Sequence, residues 1–182
     1  MKTDITQALV DEHRLILRMI ALLEKNAPRT AAGDYRNWQF YLDGVDFIRS
    51  YAGRFHHAKE EDVLFAALVE NGMPRENSPV AAMLMEHDQG RTYVLGMETA
   101  VREAMDGSKG REAAIAENAL AYAALLRDHI AKEDDILYPL AERVLPETMR
   151  AEIVQGYERA EAAADADFSA RYCRVIEKYE QE

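Results

Sequence analysis

Residues 56–65 read HHAKEEDVLF, and residues 129–138 read HIAKEDDILY. Six of the ten positions are identical between these two segments, and three more are conservative exchanges. In each segment a histidine precedes a glutamate by four residues, a spacing that places both side chains on one face of a helix. The repeat therefore predicts two helices that each present the same pair of metal-ligating side chains. These pairs are His56 with Glu60 and His129 with Glu133.

Four long amphipathic stretches make up most of the chain, and two of them contain the repeated segments. Apolar residues recur every three or four positions in each stretch, as expected for a helix with one face in a core. Short links that contain glycine, proline or asparagine separate them. The stretches cover residues 3–26, 34–70, 79–105 and 111–144. Long amphipathic helices joined by short links are typical of an antiparallel up-down-up-down four-helix bundle, so we predict an all-α fold.

The prolines predict where two of these helices end or bend, and the residues after the fourth helix predict a C-terminal extension. The first helix is expected to end near Asn26 and Pro28, and Pro139 is expected to kink the fourth helix or to make it fray. The chain after residue 146 is also helical in character. We therefore predict a four-helix bundle at residues 1–145 and a C-terminal helical extension at residues 146–182, packed on the bundle or at an oligomer interface.

The composition argues against several classes of function. The formal net charge is −11, and the acidic residues are spread through the predicted helices, so nucleic acid would be repelled. We find no apolar leader and no run long enough to span a bilayer. The one cysteine, Cys173, has no intrachain disulfide partner. These features predict a cytoplasmic protein that binds neither nucleic acid nor membrane.

Two more histidines lie on apolar faces of the other two predicted helices. His13 lies between Leu9 and Ile16, and His87 follows Met83 by four residues, so both side chains are expected to point into the core. A buried cluster of imidazoles and carboxylates without a compensating charge would be costly, and bound metal is the simplest way to stabilise it. Imidazole together with carboxylate suits iron or manganese, whereas zinc sites more often contain thiolate.

The second predicted helix offers an alternative to the pair His56 and Glu60, because His57 also precedes a glutamate, Glu61, by four residues. The repeat favours the pair named above, because the alignment leaves Glu61 opposite Asp134. Glu61 is then expected to point away from the metals as a charged surface residue, with a nearby cation as its possible partner. His57 aligns with Ile130 and is predicted to face inward. It would act either as a further nitrogen ligand or as a hydrogen-bonding partner of a carboxylate.

Taken together, the four histidine-bearing segments resemble the hemerythrin-like family, also called HHE cation-binding domains. The family motifs are an inward histidine on the first helix, HxxxE on the second and fourth helices, and EHxxGR on the third. The matching segments are DEHR at residues 11–14, HHAKEEDVLF from residue 56, EHDQGR at residues 86–91 and HIAKEDDILYP from residue 129. The Glu-x-x-His spacing of ferritin-like sites and the HExxH of zinc peptidases are both absent.

The resemblance implies a non-haem di-iron centre whose two ions change between Fe2+ and Fe3+. Glu60 and Glu133, together with an oxo or hydroxo group, would bridge the two irons, and the histidines would cap them. The ligand set that this implies is His13, His56, Glu60, His87, His129 and Glu133, with His57 as the ligand left open. Candidates for polar groups around these ligands are Arg91, Tyr93, Tyr122 and Tyr138.

The resemblance also implies a small partner molecule, namely dioxygen, nitric oxide or peroxide. Oxygen-carrying hemerythrins place two histidines four residues apart on the third helix, but here Met83 and Arg91 stand on either side of His87. One iron would then keep an open position, which favours sensing or reactivity over reversible carriage.

We therefore predict a protein that binds or senses a small molecule. The alternative is a di-iron enzyme or iron-handling protein, acting in peroxide decomposition, iron storage or donation, or repair of iron–sulfur clusters. The C-terminal helices are the expected surface for a homodimer or another partner protein.

Overall fold

The computed structural model describes residues 2–182, and this part of the chain forms six helices and no strand. Two helices contain π-helical turns and are treated as continuous elements. Helix α1 is Gln7–Ala31, α2 comprises Trp38–Phe47, Ile48–His57, Glu60–Leu64 and Phe65–Glu70, α3 is Pro79–Met105, α4 comprises Glu112–Lys132, Glu133–Leu137 and Tyr138–Val144, α5 is Glu147–Ala162, and α6 is Phe168–Glu180. The predicted all-α class is confirmed.

The first four helices surround a common core. Helix α1 packs against α2 and α4, and α3 packs against the same two helices. Buried apolar side chains form two clusters, one that includes Ile16 and a second that includes Leu9. In α1 the buried His13 lies between these two residues, and the other three helices also carry their polar site residues between the two clusters. A buried polar layer therefore crosses the middle of the core.

The π-helical turns occupy equivalent positions in the sequence repeat. Glu60–Leu64 in α2 and Glu133–Leu137 in α4 are both π-helical, and the next amide after each bonds to the carbonyl of the glutamate five residues before it. A longer π-helical segment, Ile48–His57, precedes the first of them in α2. Helical periodicity did not predict these turns. π-helical turns are rare in proteins as a whole, and those that occur are often found at functional sites.

The positions of two prolines correct the sequence prediction. Helix α1 does not end near Asn26 and Pro28 but continues to Ala31. Its last turn is held by burial of Thr30, whose hydroxyl lies 2.6 Å from the hydroxyl of Tyr41 in α2. Pro139 does not fray α4 either, because the helix continues to Val144 and the departure from α geometry lies in the π-helical turn before the proline.

Helices α5 and α6 pack on the first four. The buried Tyr172 of α6 donates a hydrogen bond of 2.8 Å to Asp46 of α2. Helix α5 approaches α2 so closely that a Cβ atom at Gly156 would lie 2.7 Å from a methyl group of Val63. No helix within residues 2–182 combines the length and apolar character that crossing a membrane requires.

Candidate metal centre

Each of the first four helices contributes one histidine to two facing pairs in the buried polar layer. His13 of α1 faces His56 of α2, with 3.0 Å between their Nε2 atoms. His87 of α3 faces His129 of α4 with the same Nε2–Nε2 distance of 3.0 Å. All four side chains are buried. The histidines that the sequence assigned to inward faces therefore do converge in the core.

The two glutamates of the repeat connect the two histidine pairs. Both carboxylates are fully buried. Glu60 Oε2 lies 3.6 Å from Nε2 of one histidine in each pair, His56 and His87. The other glutamate does the same, with 3.0 Å from Glu133 Oε1 to His129 Nε2 and 3.3 Å from Glu133 Oε2 to His13 Nε2. Each carboxylate thus spans both halves of the cluster.

The side chains fall into two groups. Within each group, the possible ligand atoms all lie within 4.8 Å of one another. Glu60 belongs to both groups. The first group, called the closed half below, contains His13, His56, Glu60 and Glu133, and the second, called the open half, contains His57, Glu60, His87 and His129. The geometry thus offers two adjoining cation positions that share a carboxylate.

The inward orientation predicted for His57 is found in the structure. Its ring stacks on His87 with 3.7 Å between the centroids and 13° between the planes. Burial lowers the pKa of His57 well below its ordinary value, and the neighbouring His87 lowers it further. A neutral imidazole at this position has a lone pair available for a metal ion. The two roles that the sequence left open both remain predictions.

A second set of carboxylates orients the four paired histidines. The Nδ1 atoms of His56 and His129 each lie 2.9 Å from a glutamate that directly precedes an inward histidine, Glu12 and Glu86 respectively. A hydrogen bond at Nδ1 fixes the tautomer that leaves Nε2 free to bind metal. The remaining two contacts are His13 Nδ1 to Asp134 at 2.8 Å and His87 Nδ1 to Glu61 at 2.7 Å.

The role expected for Glu61 is confirmed only in part, because Glu61 lies in neither group of possible ligands and pairs with the cation Arg91 but also contacts a histidine of the cluster. Its carboxylate does not simply face solvent but receives hydrogen bonds from His87 and, at 2.6 Å, from Arg91. His87 and Arg91 lower the pKa of Glu61, although partial burial opposes this. The sequence did contain a signal for this role, since Glu61 and Asp134 occupy the same position of the repeat, each directly after an inward glutamate.

Two lysines at matching positions of the repeat complete the pattern. Lys59 pairs with Glu12, and Lys132 pairs with Glu86. Their surroundings differ, because the Lys59 side chain is 0% exposed and also contacts Glu161 of α5 at 3.0 Å, whereas the Lys132 side chain is 44% exposed. Helix α5 therefore covers one half of the centre and leaves the other uncovered.

Aromatic side chains pack on the cluster in the same two-fold manner. The ring of Tyr138 stacks on His13, and the ring of Phe65 at the matching position stacks on His87. The Tyr138 hydroxyl also donates a hydrogen bond of 2.6 Å to Glu60 Oε1. Of the polar groups proposed from the sequence, Tyr138 therefore contacts a glutamate of the repeat directly, while Arg91 reaches the centre through Glu61.

The two glutamates of the cluster differ in their electrostatics. Burial opposes ionisation of Glu133, but the nearby His129 and His13 outweigh it and lower the pKa of Glu133. Burial raises the pKa of Glu60 well above its ordinary value, and the nearby Glu133 raises it further. Three buried carboxylate oxygens, namely Glu60 Oε2 and both oxygens of Glu133, receive no well-aligned hydrogen bond from any group in residues 2–182, although imidazole nitrogens of His129 and His13 lie 3.0 Å and 3.3 Å from Glu133. Such atoms are costly to bury without a partner. Burial also lowers the pKa of His56 to about 4, so that imidazole is a neutral ligand at ordinary pH.

The open half of the centre is reached by a cavity of about 680 Å³ between α2, α3 and α4. His57, His87 and His129 contribute to its lining, but His13 and His56 do not. A small molecule that enters this cavity therefore meets only one of the two cation positions.

These features define an all-helical protein whose core holds a cluster of histidines and glutamates that could hold metal ions. The chain belongs to the hemerythrin HHE cation-binding domain family, whose model matches residues 4–141. This confirms the resemblance seen in the sequence.

Relatives of this chain occur among mycobacterial proteins. The chain is 21% identical over 153 residues to proteins of Mycobacterium bovis and of two strains of Mycobacterium tuberculosis, each described as uncharacterized. The match covers 84% of this chain and 59% of each relative. The chain therefore spans less than two thirds of the length of these curated relatives. No solved structure shows significant similarity to it.

Proposed function

We propose that this chain is a non-haem di-iron protein that binds or senses dioxygen, nitric oxide or peroxide at its metal centre. The observation that carries this proposal is the position of two fully buried carboxylates, Glu60 and Glu133, between two histidine pairs, in groups whose possible ligand atoms converge. The ions would be held by His13, His56, Glu60, His87, His129 and Glu133, with His57 as a further ligand of the open half.

The donor set supports iron over the other common metals. Four or five imidazoles and two carboxylates are borderline and hard ligands, and no thiolate lies in either group. Two adjoining groups that share Glu60 support two ions per chain. When bound, iron would supply a site for a small ligand and a change of oxidation state.

Contacts along the bundle support the antiparallel topology. Between α3 and α4 the close pairs are Gly96 with Asn118 and Glu86 with His129, so residue numbers fall on one helix as they rise on the other. Glu24 of α1 contacts Arg127 of α4, and Ile5, just before α1, contacts Glu142 near the other end of α4. The contacts from α2 to its neighbours follow the same rule, Thr30 with Tyr41, Glu12 with His56, Arg49 with Glu98 and Glu61 with Arg91.

The cavity gives a small molecule access to the open half of the centre only. The cavity brings a small molecule to His57, His87 and His129, while α5 and the buried Lys59 close the half that contains His13. The two positions are therefore inequivalent despite their similar ligands. This inequivalence supports binding or sensing at one ion, with the other ion kept from direct contact with ligand.

Titration of the iron-loaded, reduced protein with nitric oxide tests the proposed function. We expect a change in the visible spectrum that saturates near one nitric oxide per chain. Saturation at two per chain would contradict the inequivalence of the halves, and the absence of any change would contradict small-molecule binding. Consumption of peroxide over many cycles would favour the enzyme alternative, whereas a single stoichiometric oxidation supports sensing.

A further inference from the structure

The two glutamates of the repeat present their oxygens to the histidine pairs in different ways. Glu133 divides its oxygens between the two halves of the centre. Its Oε1 lies 3.0 Å from His129 Nε2, and its Oε2 lies 3.3 Å from His13 Nε2. Each half is therefore faced by a different oxygen of this carboxylate.

Glu60 instead directs a single oxygen at both halves. Its Oε2 lies 3.6 Å from His56 Nε2 in one pair and 3.6 Å from His87 Nε2 in the other. The second oxygen, Oε1, accepts a hydrogen bond of 2.6 Å from the hydroxyl of Tyr138. Only one oxygen of Glu60 is therefore left free between the histidine pairs.

The Tyr138 hydroxyl has no counterpart at the matching position of the repeat, which is Phe65. The two rings lie in equivalent places, since Tyr138 stacks on His13 and Phe65 stacks on His87. No hydroxyl group within residues 2–182 donates a hydrogen bond to Glu133. One hydroxyl group therefore accounts for the different arrangement of two carboxylates at equivalent positions.

The surroundings of Tyr138 hold its hydroxyl against Glu60. The side chain is buried, and its ring lies nearly parallel to that of His13, with 9° between the planes. An ionised carboxylate can only accept a hydrogen bond, so the phenol donates. A hydrogen bond to an ionised acceptor is about twice as strong as one between neutral groups. A cation that bound Oε1 would have to break this contact.

We propose that Tyr138 is a positioning residue that makes the two glutamates bridge the metal ions differently. Glu133 would give one oxygen to each ion. Glu60 would give Oε2 to both ions, because its other oxygen is held by Tyr138. This inference deepens the proposed function and rests on its two ions per chain.

Infrared difference spectra of iron-loaded against metal-free protein test this arrangement. A carboxylate that binds metal through one oxygen has a wider separation between its antisymmetric and symmetric stretching bands than one that bridges through both. Glutamate labelled with 13C at its side-chain carboxyl would identify the bands. We expect two classes of metal-bound glutamate in the wild type, one wide and one narrow. A single class in the wild type would overturn the proposal.

The variant Tyr138→Phe assigns the wide class to Glu60. We expect this variant to show the narrow class alone, because both oxygens of Glu60 become free to bind metal. Two unchanged classes in the variant would show that Tyr138 does not position Glu60. A charge-transfer band of a phenolate bound to Fe3+, present in the wild type and lost in the variant, would also overturn the proposal, because Tyr138 would then be a ligand.

Metal affinity separates this role from a merely structural one. Tyr138→Phe should weaken metal binding about 10- to 100-fold, the usual effect of removing an outer partner of a ligand. Tyr157→Phe is the matched control, because Tyr157 is buried in the same apolar cluster and donates its hydrogen bond, at 3.1 Å, to the backbone of Ile5. We expect both changes to lower the melting temperature of the metal-free protein, but only the first to change affinity in chelator competition. Equal affinities in the two variants would refute the positioning role.

These outcomes also separate the inference from the proposed function. Two irons per chain with both glutamates in one infrared class would overturn the inference and leave the proposed function standing. Two infrared classes in a protein that does not respond to nitric oxide or peroxide would do the reverse. A wild-type protein that holds no pair of ions would overturn both.

Discussion

At the scale of single residues, the centre depends on the carboxylates behind its histidines. Glu61 and Asp134 hold the Nδ1 atoms of His87 and His13, while the glutamates that precede these two histidines hold His56 and His129. Every paired imidazole therefore has one nitrogen fixed by a carboxylate and the other directed at its partner. Such outer contacts raise the basicity of a ligand and fix its orientation.

The first prediction concerns Glu61. Glu61→Ala should lower metal affinity about 10- to 100-fold, the usual effect of removing an outer partner of a histidine ligand. Glu61→Gln should have a smaller effect, because an amide oxygen can still accept the Nδ1 hydrogen bond. Asp62→Asn is the matched control, since Asp62 is the next residue and is exposed. Competition with a metal chelator would measure the three affinities, and equal values for Glu61→Ala and Asp62→Asn would refute this role.

The sequence predicted the inward histidines and glutamates but not their outer partners. Ligand positions follow from helix periodicity, because four-residue spacing fixes a face. The contact of Glu61 with His87 joins two different helices, and its rotamer depends on how α2 and α3 pack. The helical periodicity of α2 alone predicts that Glu61 lies on the surface. Only the recurrence of an acidic residue at this position pointed to its role.

At the scale of helices, the repeat contains the same π-helical turn twice. A proline follows the turn in α4, at Pro139, while α2 has Ala66 at the matching position. Proline is therefore not the cause of the turn, since the turn forms in α2 without it. The disturbed hydrogen-bond ladder explains why a proline is tolerated there, because regular i→i−4 bonding is already interrupted.

The second prediction transfers this proline to α2. Ala66→Pro should cost at most about 1 kcal/mol and leave metal content unchanged, because the position equals that of Pro139. Ala67→Pro, one residue later, should cost about 3 kcal/mol or more, the usual effect inside a helix. Urea unfolding of both variants would give the free energies. Equal destabilisation by the two prolines would show that the π-helical turn does not confer tolerance.

The sequence predicted the existence of these helices better than their details. Amphipathic periodicity located all four long helices, since apolar faces recur over many turns. The pattern of residues predicts the end of α1 near Pro28, but α1 continues to Ala31, where Thr30 is buried against Tyr41 of α2. The π-helical turns depend on local hydrogen bonding that the pattern of apolar residues does not encode.

At the scale of the whole molecule, an approximate two-fold relation links the two halves of the centre, and α5 breaks it. Lys59 and Lys132 make the same contact with equivalent glutamates. Only Lys59 is covered, by Glu161 and by the ring of Phe55, whose centroid lies 4.0 Å from its ammonium group. Similar sets of candidate ligands therefore lie in one sealed half and in one half that opens to the cavity.

The third prediction compares these two lysines. Lys59→Met should destabilise the protein by about 3–5 kcal/mol, because it removes the cationic partner of Glu12 and leaves that carboxylate buried without it. Lys132→Met should change stability by no more than about 1 kcal/mol, since exposed ion pairs contribute little. Thermal and urea unfolding of the metal-free variants would measure both. Similar losses in the two variants would contradict the sealing of one half by α5.

The sequence repeat shows that the two halves of the centre are similar, but it does not show that only one of them is covered by α5. The repeat aligns Lys59 with Lys132 and gives no reason to distinguish them. The difference arises from packing of the C-terminal extension, and helical periodicity does not say which face of a bundle an extra helix covers. The same limit applies to the cavity, which exists because α5 and α6 leave that side uncovered.

The most direct test of the central claim is the metal content of purified, iron-reconstituted protein measured by elemental analysis. We predict two irons per chain in the wild-type protein and loss of iron in Glu60→Gln. The metal-free Glu60→Gln protein should be at least as stable as the metal-free wild type, because the change removes a buried carboxylate without a full set of partners. Zinc alone, one iron or fewer per chain, or two irons retained in Glu60→Gln would contradict a di-iron centre that shares this carboxylate.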